Sequence, residues 1–537
     1  MSVNSDLLQA LMDPDAYPQA TLSVERLPVE MIETLISFIF FAGGYAYKVK
    51  KSVDYGFLDF TTLEKRRRFC EREVELNRRI CPEVYLGVEE IREEAGRYAV
   101  GGPGRTVEYA VKMRRLPPEN SMGRLLREDG VSVQDVERIA ARIARFHRKA
   151  ETGSRITAFG DLRAVRQNVE ENFAQTRDFV GEALSGDFYD DLAAYSQAFM
   201  EVRGPVFQAR AEEGRIRDCH GDLHTAQIFL ETPKEDSAWD GISIIDCIEF
   251  NERFRCSDVA EDIAFLAMDL DFHGRPDLSR AFVEAYAGDS GDRGVFELLT
   301  FFKAYRAYVR GKVACFRAED TPLTPAAKAE TLETARAYFN LAHSYLPTLS
   351  SPALILMSGV TGTGKSTLAS ELARRWAMEH ISSDLVRKDL AGIHPTDRRY
   401  ESFQEGIYSP QFSAQTYDAM LSEARRRLLT GRSVILDGTF RRADERTKAT
   451  ELAREIGADC WIVQCVLGET EARRRLEIRA AEGGSSSDGR WDLYRPQLQQ
   501  WEPVAEVPTN RRFVLDTGGS TEEVVAALLR GFYAGIV

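Results

Sequence analysis

The chain predicts two unlike folds in succession: a bilobal α+β unit, then an α/β unit built on a parallel sheet. Three observations carry this. Residues 1–116 read as short β-branched and aromatic runs around one helix, and residues 117–343 turn to helical spacing. The stretch 344–352, SYLPTLSSP, is rich in Pro and Ser and lies where one pattern stops and another begins, so it reads as a linker. Residues 353–537 then open with an apolar strand, Ala353–Met357, followed by a loop that fits G-x-x-x-x-G-K-[ST] and a helix over Thr367–Met378. With 537 residues, the chain is also longer than one hydrophobic core supports.

Composition narrows the class. A 44% hydrophobic and 29% charged content is that of an ordinary globular protein. The net charge of −14 argues against a nucleic-acid coat or a membrane-surface binder. Eight scattered cysteines without a C-x-x-C pair favour reduced thiols over disulfides or zinc. Met1–Ala20 carries Asp6, Asp13 and Asp15 rather than a basic and then apolar run, so no cleavable signal is expected. Leu35–Tyr47, the most apolar run, is too short to span a bilayer. A cytoplasmic protein without a membrane partner is the expectation, and oligomeric state is left open.

Taken in order, Ser37–Ala42 and Tyr45–Val49 are strands joined by Gly43-Gly44, a hairpin signal. The two-residue period puts Lys48 and Lys50 on one face of the second strand and Lys51 on the other. Thr62–Ile80 reads as a helix with charged and apolar faces. Val84–Val88, Tyr98–Val100 and Tyr109–Met113 read as further strands. Val136–His147 and Phe188–Val202 carry core stripes of a helical lobe. Arg217–Leu230 (RDCHGDLHTAQIFL) and Ile242–Asn251 (ISIIDCIEFN) follow. Phe301–Phe316 and Thr324–Ala342 read as two long helices closing the lobe, with Arg306, Arg310 and Lys312 expected on a solvated face rather than in a substrate cleft.

The order His220-Gly221-Asp222, then Gln227, then an apolar strand ending at Asp246, resembles a protein-kinase-type catalytic centre. More narrowly it is similar to the aminoglycoside-phosphotransferase and choline-kinase-like family, whose loop reads H-G-D-x-x-x-x-N. The resemblance implies a protein-kinase-like fold with Asp222 as catalytic base and with Gln227 and Asp246 on Mg²⁺. It also implies Lys48 (or Lys50) on the nucleotide phosphates and Glu73 (or Glu71) as its partner. Met113–Leu116 would be a hinge, with Arg114 and Leu116 against the adenine. Asp258 and Asp262 would support the catalytic loop. Two departures stand out: Gln227 replaces Asn with one extra methylene, and the glycine-rich phosphate loop is reduced to Gly43-Gly44. A hard cation tolerates little geometric error, so Gln227 also admits a non-catalytic, ligand-binding role for this half.

In the C-terminal unit, Gly359, Thr361, Gly362, Thr363, Gly364, Lys365, Ser366 and Thr367 form a phosphate-binding loop. Its glycines let backbone N–H groups turn inward around ATP phosphates, Lys365 reaches the β/γ-phosphates and the Ser366 hydroxyl takes Mg²⁺. Asp437 ends the buried run Ser433–Asp437 and fits a Walker-B-like role on the metal. Cys460–Val466 and Phe513–Asp516 are further strands, and Thr521–Phe532 a last helix. Asp384 and Arg387 have the spacing that resembles polynucleotide 5′-hydroxyl kinases, where the Asp is general base and the Arg grips a substrate phosphate. Gluconate kinases and zeta-toxin-like kinases share the layout. Arg473, Arg474, Arg475 and Arg479 read as a lid that neutralises phosphate charge, beside a loop over Gly483–Gly489. The whole length thus resembles bacterial proteins that fuse an aminoglycoside-phosphotransferase-like domain to a P-loop NTPase domain of the kinase type. That implies an ATP- and Mg²⁺-dependent kinase acting on the hydroxyl of a small polar metabolite, with a nucleic-acid end as the less favoured acceptor.

Overall fold

The computed structural model describes residues 5–18, 28–56, 58–233, 239–320, 323–349, 352–395, 397, 401, 404–482 and 488–537. It divides into two units. The first comprises residues 1–185 and 203–345; the second comprises residues 186–202 and 346–537.

In the first unit six strands form one antiparallel sheet: β1 (Glu30–Glu33), β2 (Ser37–Ala42), β3 (Tyr45–Lys50), β4 (Tyr85–Glu94), β5 (Arg97–Val100) and β6 (Arg105–Arg114), in the order β1-β2-β3-β6-β4-β5. The β2–β3 hairpin pairs Ala42 with Tyr45 across Gly43-Gly44, as the glycine pair predicts. Inward residues Phe40, Tyr47, Val49, Ile91 and Ala110 make the sheet's core, which also takes Leu7 and Leu11 of the helix Ser5–Leu11. A helix over Leu63–Arg78, capped by the Thr62 hydroxyl on Lys65 N–H, packs on β4 and β6. The rest is helical, with two short ladders: β7 (Ile216–Asp218) pairs with β10 (Cys256–Asp258), and β8 (Ile228–Leu230) with β9 (Ile242–Ile244). The loops between these ladders carry the kinase-like motifs. This is the bilobal, protein-kinase-like architecture.

The second unit is a five-stranded parallel sheet of β11 (Ala353–Ser358), β12 (Glu379–Ser382), β13 (Val434–Asp437), β14 (Asp459–Val466) and β15 (Arg512–Asp516), in the order β12-β13-β11-β14-β15. Its central strand β11 is buried along its whole length, which is why it reads as a continuous apolar run. The helix after the glycine loop spans Lys365–Arg375, starting and ending earlier than Thr367–Met378.

One assignment is corrected. The helix Gly186–Val202 belongs to the second unit, not to the helical lobe over 117–343. Tyr195 meets Tyr533 of the C-terminal helix edge-on at 5.7 Å, and Asp187 and Asp191 accept from Arg374 and Arg375 at the end of the Lys365–Arg375 helix. The apolar stripe fixed that this helix is buried, not what buries it. All eight cysteines are buried free thiols. Among the described residues no helix is long and apolar enough to cross a membrane.

Candidate functional site

Around the glycine loop the chain builds a cavity of about 570 Å³. Gly359 leaves β11 at φ 146°, where an added Cβ would lie 2.4 Å from Cys465 O; the loop therefore runs closer to β14 than any side chain allows. Gly364 sits at φ 78° just before the helix, turning the chain so that Lys365 starts the first turn. Remote residues fasten the loop. Thr517 Oγ1 donates to Thr363 O at 2.9 Å, Thr363 Oγ1 donates to Val360 O at 2.8 Å, and Thr361 N–H donates to Gln497 Oε1 at 2.8 Å. Lys365 Nζ donates to Val360 O at 2.8 Å. Burial lowers the pKa of this amine, with the nearby Asp437 charge opposing.

The predicted residues mostly converge here. Thr361, Gly362, Gly364, Lys365, Ser366 and Thr367 line the cavity; Gly359 and Thr363 do not, and shape the loop from behind. Asp384, Arg387, Asp437, Arg475 and Arg479 line it too. Asp437, 3% exposed, ends β13, and His380 Nε2 lies 3.4 Å from its Oδ2. Asp384 stands in the first turn of the helix Ser383–Leu390. Arg387 is more constrained than expected. Its Nη1 donates to Ile407 O (2.7 Å) and Ser413 Oγ (3.1 Å), and its guanidinium covers the Tyr408 ring, while Nε is buried without a partner. The four-arginine lid is corrected to two. Arg475 and Arg479 face the cavity one turn apart, whereas Arg473 and Arg474 are exposed and paired to Glu477 and Glu471 on their own helix, Glu469–Glu482. Of the Gly483–Gly489 loop, residues 483–487 lie outside the described residues. Tyr408, His380, Gln497 and Thr517 carry no motif and were not foreseen.

In the first unit a second cluster forms. Lys48 and Lys50, on one face of β3, share Glu73: Lys48 Nζ lies 2.9 Å from Oε1 and Lys50 Nζ 2.7 Å from Oε2. Lys48 also pairs with Asp246 at 2.5 Å, and Lys50 with Glu249. Glu71 pairs with Arg67 on the helix surface, so Glu73 is the partner. Burial opposes the Glu73 charge, but the two ammonium groups hold its carboxyl well below the usual range. Asp246 adopts φ 68°, and Gln227 Nε2 donates to its Oδ2 at 3.3 Å.

The catalytic-loop stretch is held from below. Asp262 accepts from the N–H groups of His220 (3.2 Å) and Gly221 (2.8 Å) and sits 3.0 Å from His147 Nε2. Burial would raise its carboxyl, yet His147 and these donors bring it down to about 2. Asp222 is 32% exposed, with His224 Nε2 3.4 Å away. Burial opposes its charge, and His224 with Arg310 outweighs it and holds the carboxyl well below the ordinary value.

Three expectations fail in this unit. Asp258 does not support the loop; it caps the helix Val259–Phe272 and forks onto Arg210. Arg114 N–H is bonded to Val84 O and its guanidinium forks onto Glu231, so both are already engaged. Arg306 and Arg310 are not on a solvated face, since Arg306 is buried and Arg310 half-buried.

A family model described as AAA domain matches residues 354–503. "Uncharacterized protein Rv2004c" of Mycobacterium tuberculosis is 34% identical over 498 residues, covering 93% of this chain and 94% of that protein. The chain belongs to that protein's family. An adenylate kinase of Clavibacter michiganensis subsp. michiganensis is 26% identical over 189 residues, 34% of this chain and 92% of that one. Among solved structures, the GDP complex of aminoglycoside 2′-phosphotransferase-IIIa is similar to 63% of this chain over 99% of its own, at 14% identity and a TM-score of 0.37.

Proposed function

We propose that the chain is an ATP- and Mg²⁺-dependent phosphotransferase whose P-loop half passes the γ-phosphoryl to a hydroxyl of a small polar metabolite. The observation that carries it is the convergence on one cavity of a phosphate loop, Lys365, four carboxylates that include Asp384 and Asp437, and four arginines that include Arg387, Arg475 and Arg479. Lys365 holds the β/γ-phosphates, whose negative charge opposes the lowering of its amine by burial. Arg387 positions the acceptor, and Asp384 takes the hydroxyl proton as its oxygen forms the new P–O bond and the bond to ADP breaks. Arg475 and Arg479 meet the charge on the moving phosphoryl group. Ser366 and Asp437 are hard oxygen donors that fit Mg²⁺, which neutralises phosphate charge when bound.

In the kinase-like half Asp222 has the place of the base, Lys48 and Glu73 that of the phosphate-binding pair, and Asp246 with Gln227 that of the metal ligands. A specific observation favours a second, regulatory reading of this half: Lys48 and Gln227 both engage Asp246. A metabolite-extract screen with γ-labelled ATP, run on wild type, Lys365→Ala and Asp222→Ala, tests both. Loss of all labelled product in Lys365→Ala alone supports a P-loop kinase with a regulatory partner. Separate products lost in each variant support two kinases, and a product lost in neither contradicts both. A 5′-hydroxyl oligonucleotide in the same screen checks the nucleic-acid alternative.

A further inference from the structure

The long helix Val295–Asp320 places Arg306 and Arg310 four residues apart on one face. Arg306 is part of the scaffold: Nη1 donates to Gly221 O at 3.2 Å, Nη2 lies 2.9 Å from Glu261 Oε1, and the guanidinium covers the Phe265 ring. One turn on, Arg310 lies over the Tyr338 ring, 5.4 Å from its centroid. Among the described residues no carboxylate comes within ion-pairing distance of it. Asp269, whose charge it feels, is engaged by Thr225 through N–H (2.9 Å) and Oγ1 (2.6 Å). The other carboxylate acting on it is the partly exposed Asp222. A half-buried guanidinium has five donors and a fork that fits carboxylate or phosphate, and the Tyr338 ring with a hydrogen bond to its side chain leaves most of those donors for another partner.

We propose that Arg310 anchors an anionic group on the alcohol phosphorylated at Asp222, so that the acceptor of the kinase-like half is an acidic hydroxy compound, a sugar phosphate or a hydroxy acid. This rests on the reading of Asp222 as base. The helix that sets Arg306 on Gly221 O carries Arg310 one turn further, so the acceptor hydroxyl faces Asp222 while its anionic end lies on Arg310. A rival role for Arg310, keeping Asp222 ionised, predicts a different kinetic signature. It would lower kcat for every acceptor alike, whereas an anchor raises KM for charged acceptors only.

The test uses the full chain carrying Lys365→Ala, which silences the P-loop half, with γ-labelled ATP and matched acceptors: ribose and ribose 5-phosphate, glycerol and glycerate, galactose and galacturonate. The charged member of at least one pair is expected to exceed its neutral partner by about tenfold or more in kcat/KM. Adding Arg310→Met should remove that preference through KM, and Arg310→Lys should restore part of it. The phosphate and carboxylate pairs show which anion is taken. Preference for neutral acceptors, or an equal kcat loss across both members, overturns the proposal. If no pair is phosphorylated, calorimetric titration of the same charged compounds decides. Heat lost on Arg310→Met upholds the anchor, and no heat with any of them overturns it. Asp222→Asn separates the premise: it should abolish transfer and keep binding, and transfer surviving Asp222→Asn would sink the base assignment while leaving the Arg310 comparison intact.

Discussion

The two candidate nucleotide sites use the same groups, ammonium for phosphate and carboxylate for metal, in opposite ways. At the glycine loop the ammonium is held by backbone: Lys365 donates to a carbonyl with the Asp437 charge nearby, His380 Nε2 lies 3.4 Å from Asp437, and the loop and Asp384 line one open cavity. In the first unit the charges neutralise one another, with Lys48, Lys50, Glu73, Glu249 and Asp246 in one chain of ion pairs. Under the proposed function the backbone loop is preformed for its anion, whereas Asp246 would exchange contacts with Lys48 and Gln227 for a metal. On that reading the first site loads as it stands and the second loads by rearranging its ion pairs.

Substitutions can break this contrast. The largest effect is expected at the open site, where Asp384→Ala should lower kcat of the P-loop transfer by about 10²–10⁴-fold and leave the melting temperature near wild type. Close behind, Glu73→Gln removes the carboxylate that two buried ammonium groups share, leaving Lys48 to Asp246 and Lys50 to Glu249, and should destabilise the first unit by about 1.5–3 kcal/mol, read from the urea midpoint. Equal destabilisation by Lys365→Ala and Glu73→Gln would erase the distinction.

The pH dependence follows from Asp262. Its carboxyl falls from the usual 3.8 to about 2 in the fold, so its stabilisation is complete above about pH 4 and is lost as pH falls toward 2. Asp262→Asn should flatten that acid limb by about 2 kcal/mol, measured by urea unfolding between pH 2 and 5. The smallest effect sharpens the comparison. Gln227→Asn withdraws an amide from Asp246 and should tighten Mg²⁺ binding in a Lys365→Ala chain by about tenfold.

What the sequence made legible was local. The two-residue period put Lys48 and Lys50 on one face, and the strand-loop-helix order placed Lys365 and Ser366, because both depend on neighbours in the chain. What it hid depended on remote packing. Nothing in Gly186–Val202 says that its stripe meets Tyr533, nothing in Arg473–Arg479 separates the two arginines on the cavity from the two in solvent, and Arg306 looks solvated until Phe265 and Glu261 are beside it. Gln497 and Thr517 grip the phosphate loop from more than a hundred residues away and belong to no motif.

The most direct measurement is calorimetric titration of Mg²⁺·ATP into the full chain and its Lys365→Ala variant. The preformed loop should give the tighter site in the wild type, and that site should disappear in the variant, leaving at most the weaker one. Unchanged affinity and stoichiometry in Lys365→Ala would contradict a nucleotide held at the glycine loop.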